Sequence, residues 1–197
     1  MTREQKLALA LEAAKAFMDD HYPDAKWWVV GGCLRDTELD RDFNDVDIFI
    51  AGKPEDALPD EDTDDGDRNA YLRRASREVI ACHGEELELN LIHMRGPDWD
   101  LKRVTDRCDF GICMIGWCPE TDVLYRSPRY ISDKRWKQLT LHRETVTERR
   151  ERMEAKFPDF TYRNPYRLKY DGASAWEYSR ETGRIVKTTH KIKNAFT

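Results

Sequence analysis

Two aspartates, Asp45 and Asp47, stand two residues apart in an apolar run, Val46-Asp47-Ile48-Phe49-Ile50, that reads as a strand. On a strand, residues i and i+2 point to the same side. Two carboxylates held that close repel by about 3 kcal/mol at a separation of about 5 Å and an effective dielectric of about 20. A strand that keeps both offsets the repulsion with a cation. Magnesium takes oxygen ligands and is commonly held by one or two carboxylates plus substrate phosphates, so it suits this pair, as does manganese. A third carboxylate on a neighbouring strand completes a two-ion site, one ion activating an attacking hydroxyl and the other neutralising the leaving group. Glu88, flanked by Leu87 and Leu89, has that setting. Glu86 shares its face and is the alternative.

Upstream of the aspartates the chain reads Trp27-Trp28-Val29-Val30-Gly31-Gly32, a short strand ended by two glycines. Gly31 and Gly32 let the backbone turn tightly and approach a ligand with no Cβ in the way. The helix predicted over 33–39 offers unpaired amides at the positive end of its dipole, a site for phosphate. Arg35, one turn in, adds a bidentate contact to phosphate oxygens.

These parts need elements to hold them. An amphipathic helix is predicted over 3–20, with Leu7, Leu9, Leu11, Ala14, Phe17 and Met18 on one stripe. The run KPEDALPDEDTDDGD, 53–67, carries eight acids and two prolines and reads as a solvated loop. A helix is predicted over 69–82. Residues 86–94 alternate polar Glu86, Glu88 and Asn90 with Leu87, Leu89 and Leu91, the period of a strand with one polar face. A hairpin-like section follows residue 117 and runs to residue 131. A long polar helix is expected over 134–157, closed by Pro158, and the tail is aromatic and basic.

At 197 residues the chain has room for one catalytic domain and an appendage, and a boundary near residue 130 divides 1–130 from a basic, mainly helical extension over 131–197. Residues 1–100 carry 12 Lys and Arg against 25 Asp and Glu, whereas 101–197 carry 21 against 13. An acidic half fit for metal thus adjoins a basic half fit for polyphosphate or nucleic acid. No stretch approaches the roughly eighteen apolar residues of a membrane helix, and the N-terminal segment lacks a signal-peptide apolar run. Five cysteines without a compact framework fit reduced thiols in a cytoplasm.

The run GGCLRDTELDRDFNDVDIFI, with the later hydrophobic-carboxylate-hydrophobic strand, resembles the DNA polymerase beta nucleotidyltransferase superfamily. More narrowly it is similar to the opening motif of CCA-adding enzymes and bacterial poly(A) polymerases, Gly-Gly-x-x-Arg-Asp followed by Asp-x-Asp. RCDFGICMIGW, 107–117, resembles the same family's Arg-Arg-Asp-Phe-x-x-Asn motif, with Cys108 at the second arginine and Cys113 at the asparagine. RNPYRLKY, 163–170, matches the family's Glu-Asp-x-x-Arg helix only at Arg167, since Arg163 and Asn164 stand where both acids would be. The resemblance implies an α+β nucleotidyltransferase fold, a small mixed sheet flanked by helices with a basic helical C-terminal extension. It implies catalytic and metal-binding roles for Asp45, Asp47 and Glu88. Gly31, Gly32, Arg35 and Arg107 address the triphosphate of ATP or CTP, Asp109 the sugar, and Arg167 the base or acceptor.

The expected reaction moves a nucleoside monophosphate to a hydroxyl, most readily an RNA 3′ end. A protein side chain or small molecule is the alternative acceptor, and a non-catalytic binding module the alternative to an enzyme. Cys108, Cys113 and Cys118, spaced by five, do not match the Cys-x-x-Cys pairs of zinc sites and read as idle thiols. His93 reads as a packed or surface residue. Arg149, Arg150, Arg152 and Lys156, interleaved with Glu148, Glu151 and Glu154, read as the solvated face of a helix. Trp136 among Lys134, Arg135 and Lys137 reads either as a stacking platform beside phosphate-binding cations or as a core anchor.

Overall fold

The computed structural model describes residues 1–52, 75–143 and 145–165, together with the backbone of residues 72–74 and of two strands at 175–179 and 184–188. The acidic run 53–67 and Arg167 lie outside the described residues.

Helix α1 (Arg3–His21) begins at a capping box, Thr2 accepting from the Gln5 amide while the Gln5 side chain accepts from the Thr2 amide. These bonds satisfy two groups that a helix start leaves open. Ala10, Ala14 and Met18 form its buried stripe. Then come β1 (Trp27–Val30), α2 (Gly32–Glu38), β2 (Asp45–Ile50), β3 (Leu72–Cys82) and β4 (Glu85–Met94). After α3 (Leu101–Thr105), β5 (Ile115–Cys118) and β6 (Val123–Arg126) form a hairpin. Helix α4 (Pro128–Trp136), β7 (Gln138–Thr140), α5 (Thr147–Lys156) and β8 (Thr161–Arg163) follow, with β9 (Ala175–Ser179) paired to β10 (Arg184–Thr188).

Six strands make one mixed sheet in the order β3-β4-β2-β1-β5-β6, with β2 and β4 parallel and the other neighbours antiparallel. This is the α+β architecture expected from the sequence. Strand β2 shows how the sheet serves two purposes. Val46, Ile48 and Ile50 are buried and belong, with Leu87, Leu89 and Leu91 of β4, to the core that includes Ala14 and Met18 of α1 and Leu34 of α2. The period of two therefore sends Asp45, Asp47 and Phe49 to the opposite face. There Phe49 joins a smaller cluster of Trp28, Val30, Met94, Trp99 and Val104.

Two expected helices are corrected. Residues 69–82 contribute a strand, β3, which pairs with β4 from Cys82↔Glu85 back to Leu72↔Met94. The link is the two-residue turn His83-Gly84, with φ of 50° and 86°. Positive φ at both central positions matches the right-handed twist of the strands, and the cross-strand ladder overrides the helix preference of Leu, Arg and Ala. The expected helix 134–157 divides into α4, β7 and α5. Ser127 caps α4 through the Tyr130 amide, with Pro128 in its first turn, and Lys137 ends it in a left-handed conformation. Strand β7 then pairs in parallel with β8, and Asp133 binds both the amide and the hydroxyl of Thr140. The described part of 131–197 thus contains strands as well as helices.

Candidate active site

The double glycine ends β1 and opens α2 as expected. Gly31 has φ of +85°, a conformation that a side chain would strain, and its amide donates to the Ile115 carbonyl on β5 at 2.8 Å. A Cβ on Gly32 would lie 3.6 Å from Asp47 Oδ2. The turn therefore brings its backbone directly against the second aspartate.

Asp45 and Asp47 share one face of β2, half-buried. The third acid does not join them. In the parallel register Asp45 lies beside Glu88 and Asp47 beside Asn90. The Glu88 carboxylate turns to Arg77 on β3, with Oε1 2.6 Å from the guanidinium. Glu86 lies two residues further back, beside Ala81 of β3. Asn90 stands where the third acid was expected: its Nδ2 donates to Asp45 Oδ2 at 2.9 Å and to Asp47 Oδ1 at 3.0 Å. Burial pushes the Asp47 carboxyl above the usual carboxylate range and the Asp45 charge adds to this, while the Asn90 hydrogen bond opposes it. Among the described residues no group of three or more His, Cys, Asp or Glu is arranged to hold a metal ion. The donor set is nevertheless one that a hard divalent cation accepts, since magnesium is commonly held by one or two carboxylates completed by phosphate and water. The residues present fit one such ion more directly than the expected pair.

The aspartates open onto a cavity of about 530 Å³ lined by Val30, Gly31, Gly32 and Phe49 on the sheet side. That volume is within the range of small-molecule sites. Its far wall holds Arg149, Arg152, Met153 and Lys156 of α5, with Arg107 and Asp109 beside them. Residues 149, 152 and 156 are spaced i, i+3 and i+7, one helical face. Arg152 and Lys156 are exposed, as a solvated face would be, but the packing of Met153 and Phe157 places that face along the cavity. Phe157 is fully buried, with the Arg35 and Arg41 guanidinium groups 5.1 and 4.8 Å from its ring centroid. Arg150, by contrast, points to Glu154 and the Tyr162 ring.

Several predicted ligands are engaged in holding this wall. Arg35 is buried and its fork is closed on Asp36, Nε to Oδ1 at 2.8 Å and the second terminal nitrogen to Oδ2 at 2.9 Å. Its remaining terminal nitrogen meets Cys113 Sγ at 3.0 Å. Lys156 reaches the same Asp36 at 2.6 Å. Arg35 lines the cavity together with Asp36, but its bidentate edge is taken by Asp36, which also receives Lys156 of α5 and so joins α2 to α5. Asp109 accepts from Thr145 Oγ1 at 3.0 Å and from Arg149 Nε at 3.1 Å, so it orients Arg149. Arg107 lines the cavity with its guanidinium 5.7 Å from the Trp99 ring centroid. Arg152 is exposed and has no ion-pair partner among the described residues.

The five thiols are free, and burial raises those of Cys33, Cys108 and Cys113. His93 packs 5.7 Å from the Tyr22 ring. Trp136 is 61% exposed beside Arg135, so it is no core anchor. No described helix is long and apolar enough to cross a membrane.

Neither a protein-family model nor a curated protein sequence matches the chain. Solved structures do. A CCA-adding enzyme in its apo form I matches with a TM-score of 0.53 and 19% identity over 84% of this chain and 41% of that one. The Thermotoga maritima CCA-adding enzyme complexed with tRNA matches with a TM-score of 0.46 and 19% identity, over 76% of this chain and 37% of that one. A CCA-adding enzyme with ATP gives a TM-score of 0.49 and 19% identity, over 81% and 39%. The match to the apo form I structure shows the fold that the motif resemblance implied, and the chain spans roughly two fifths of the length of each matched structure.

Proposed function

We propose that this chain, which shares the fold of CCA-adding enzymes over the matched region, is a nucleotidyltransferase. It moves a nucleoside monophosphate from a nucleoside triphosphate to a hydroxyl. The observation that carries this reading is one cavity with two aspartates on its strand wall and a row of cations on its helix wall. A triphosphate accompanied by a divalent cation needs both.

Asp45 and Asp47 hold the cation, magnesium or manganese. When bound, the ion supplies positive charge that acidifies the attacking hydroxyl and stabilises the departing pyrophosphate. The hydroxyl oxygen bonds to the α-phosphorus, the bond to the bridging oxygen of the β-phosphate breaks, and the hydroxyl proton leaves to solvent. Arg152 and Arg107 bind phosphate oxygens, and Arg149 presents its charge in an orientation set by Asp109. Gly31 and Gly32 keep the backbone low enough for phosphate to approach Asp47. Val30 and Phe49 give the sugar or base an apolar floor. Arg35, Asp36 and Lys156 keep the two walls at a fixed separation, which preorganises the site.

ATP or CTP is the donor, and an RNA 3′ end is the acceptor. The basic balance of residues 101–197 supports this, as does the fold shared with enzymes solved with tRNA, ATP and CTP. Incubating the protein with magnesium and nucleotide labelled at the α-phosphate, beside separate RNA and protein pools, tests the reading. RNA is expected to take up the label. Label in the protein pool alone replaces RNA with a protein acceptor, and label in neither pool contradicts transfer to both.

One observation favours a second reading, a nucleotide-binding module without transfer: a neutral amide stands where a third carboxylate was expected. That reading predicts nucleotide binding without release of pyrophosphate.

A further inference from the structure

Asn90 is the residue on which the candidate site departs most from its expected composition. It comes from β4 rather than from the strand carrying the aspartates, and its amide group touches both carboxylates at once. Each of its two N–H donors satisfies one aspartate. Asn90 so placed holds together two like charges that would otherwise repel, which is a cation's task. An N–H group aimed at the carboxylates also competes with any cation for their lone pairs. The same side chain carries an oxygen, a neutral ligand that magnesium and manganese accept, once the amide turns over. Glu88 does not supply the missing charge, because Arg77 holds it.

On the reading that Asp45 and Asp47 are the cation ligands, we infer that Asn90 makes cation entry conditional on nucleotide. Without nucleotide, the amide hydrogens occupy the carboxylates, and the site carries two negative charges rather than three. A divalent cation then binds weakly. A triphosphate brings phosphate oxygens that complete the ion's shell, and the amide turns its oxygen to the ion. Cation and triphosphate consequently enter together. Such linkage is reciprocal, so the cation tightens the nucleotide by the same factor.

Binding of Mn2+, followed by the loss of the free-ion paramagnetic resonance signal, tests this with and without a non-hydrolysable ATP analogue. For the unmodified protein the analogue should tighten Mn2+ by about 50-fold or more, toward the upper part of the usual range of coupling. In Asn90→Asp, a third charged ligand replaces the competing amide. Nucleotide-free Mn2+ binding should strengthen by about tenfold, and the coupling should fall to about fivefold. Asn90→Ala, which removes the amide without adding charge, should narrow the coupling in the same direction and serves if the aspartate variant does not fold. Unchanged coupling in both folded variants would overturn the inference. Asp47→Asn separates that failure from failure of the underlying reading: if it leaves Mn2+ binding intact, the aspartates are not the ligands, whatever Asn90 does.

Discussion

The two walls of the cavity are built on opposite plans. The strand wall is rigid and local: Asp45 and Asp47 are fixed by the pleat of one strand, with Asn90 one strand away. The helix wall is assembled over long range. α5 lies more than a hundred residues from the aspartates in sequence, and its cations reach the cavity because Met153 and Phe157 are buried and because Lys156 and Arg149 pair with Asp36 and Asp109. A charge on a strand needs only the pleat to aim it, whereas a charge on a helix needs the helix to be docked. The strand wall should therefore fail by losing chemistry, and the helix wall by losing position.

The joint between the walls is the place to break this contrast hardest. Arg35→Ala leaves Asp36 buried without its bidentate partner. Lys156 stays on Asp36, so the loss lies near the lower end of the about 3–5 kcal/mol that breaking a buried pair costs. Chemical denaturation should show a fall of that size, with Arg35 acting on stability before it acts on catalysis. Asp47→Asn should do the reverse. Nucleotidyl transfer should slow by at least about 10²–10³-fold, comparable to removal of other major electrostatic contributions, while the melting temperature stays the same or rises as the repulsion with Asp45 is relieved. Arg152→Ala probes the helix wall without undocking it, because Arg152 has no ion-pair partner among the described residues. The KM for nucleoside triphosphate should rise by about tenfold, a loss of about 1.4 kcal/mol, with kcat changed less.

The smallest effect is expected at Glu38, at the far end of α2 and outside both walls. Burial pushes its carboxyl up, but hydrogen bonds from Arg126, Lys134 and Tyr130 prevail and hold it below its ordinary value of 4.5. A folded-state value below the unfolded one gives stability that is present above the unfolded value and lost as pH falls through the folded one. Glu38→Gln should therefore cost about 1 kcal/mol near neutral pH, and the difference from the unmodified protein should begin to shrink as pH drops below about 4.5 and vanish below the folded-state value. Melting curves across pH 3–7 measure it, and transfer activity at neutral pH should be unaffected.

The strand wall was legible because its information is local. Spacing of i and i+2 in an apolar run, preceded by Gly31-Gly32, is enough to place two acids on one face beside a tight turn. The place of Glu88, beside Asp45 but paired with Arg77, was less legible for the complementary reason. Alternation correctly puts Glu86, Glu88 and Asn90 on one face of β4, but which of them meets Asp47 depends on the register between two strands separated by some forty residues. No local pattern encodes that register, nor the Arg77 partner on β3, a strand that itself read as a helix. His83-Gly84 between two runs of matching length was the available sign of the hairpin. On the helix wall the spacing of Arg149, Arg152 and Lys156 was visible, but the intervening glutamates gave the segment the composition of a solvated face. Only the burial of Met153 and Phe157 reveals which way it turns.

A crystal structure with a non-hydrolysable nucleoside triphosphate and magnesium puts both walls to the test at once. An ion is expected in contact with Asp45 and Asp47, with the triphosphate spanning to Arg152 across the cavity and the Asn90 oxygen turned toward the ion. A nucleotide bound elsewhere, or bound in this cavity with no cation on either aspartate, would contradict it.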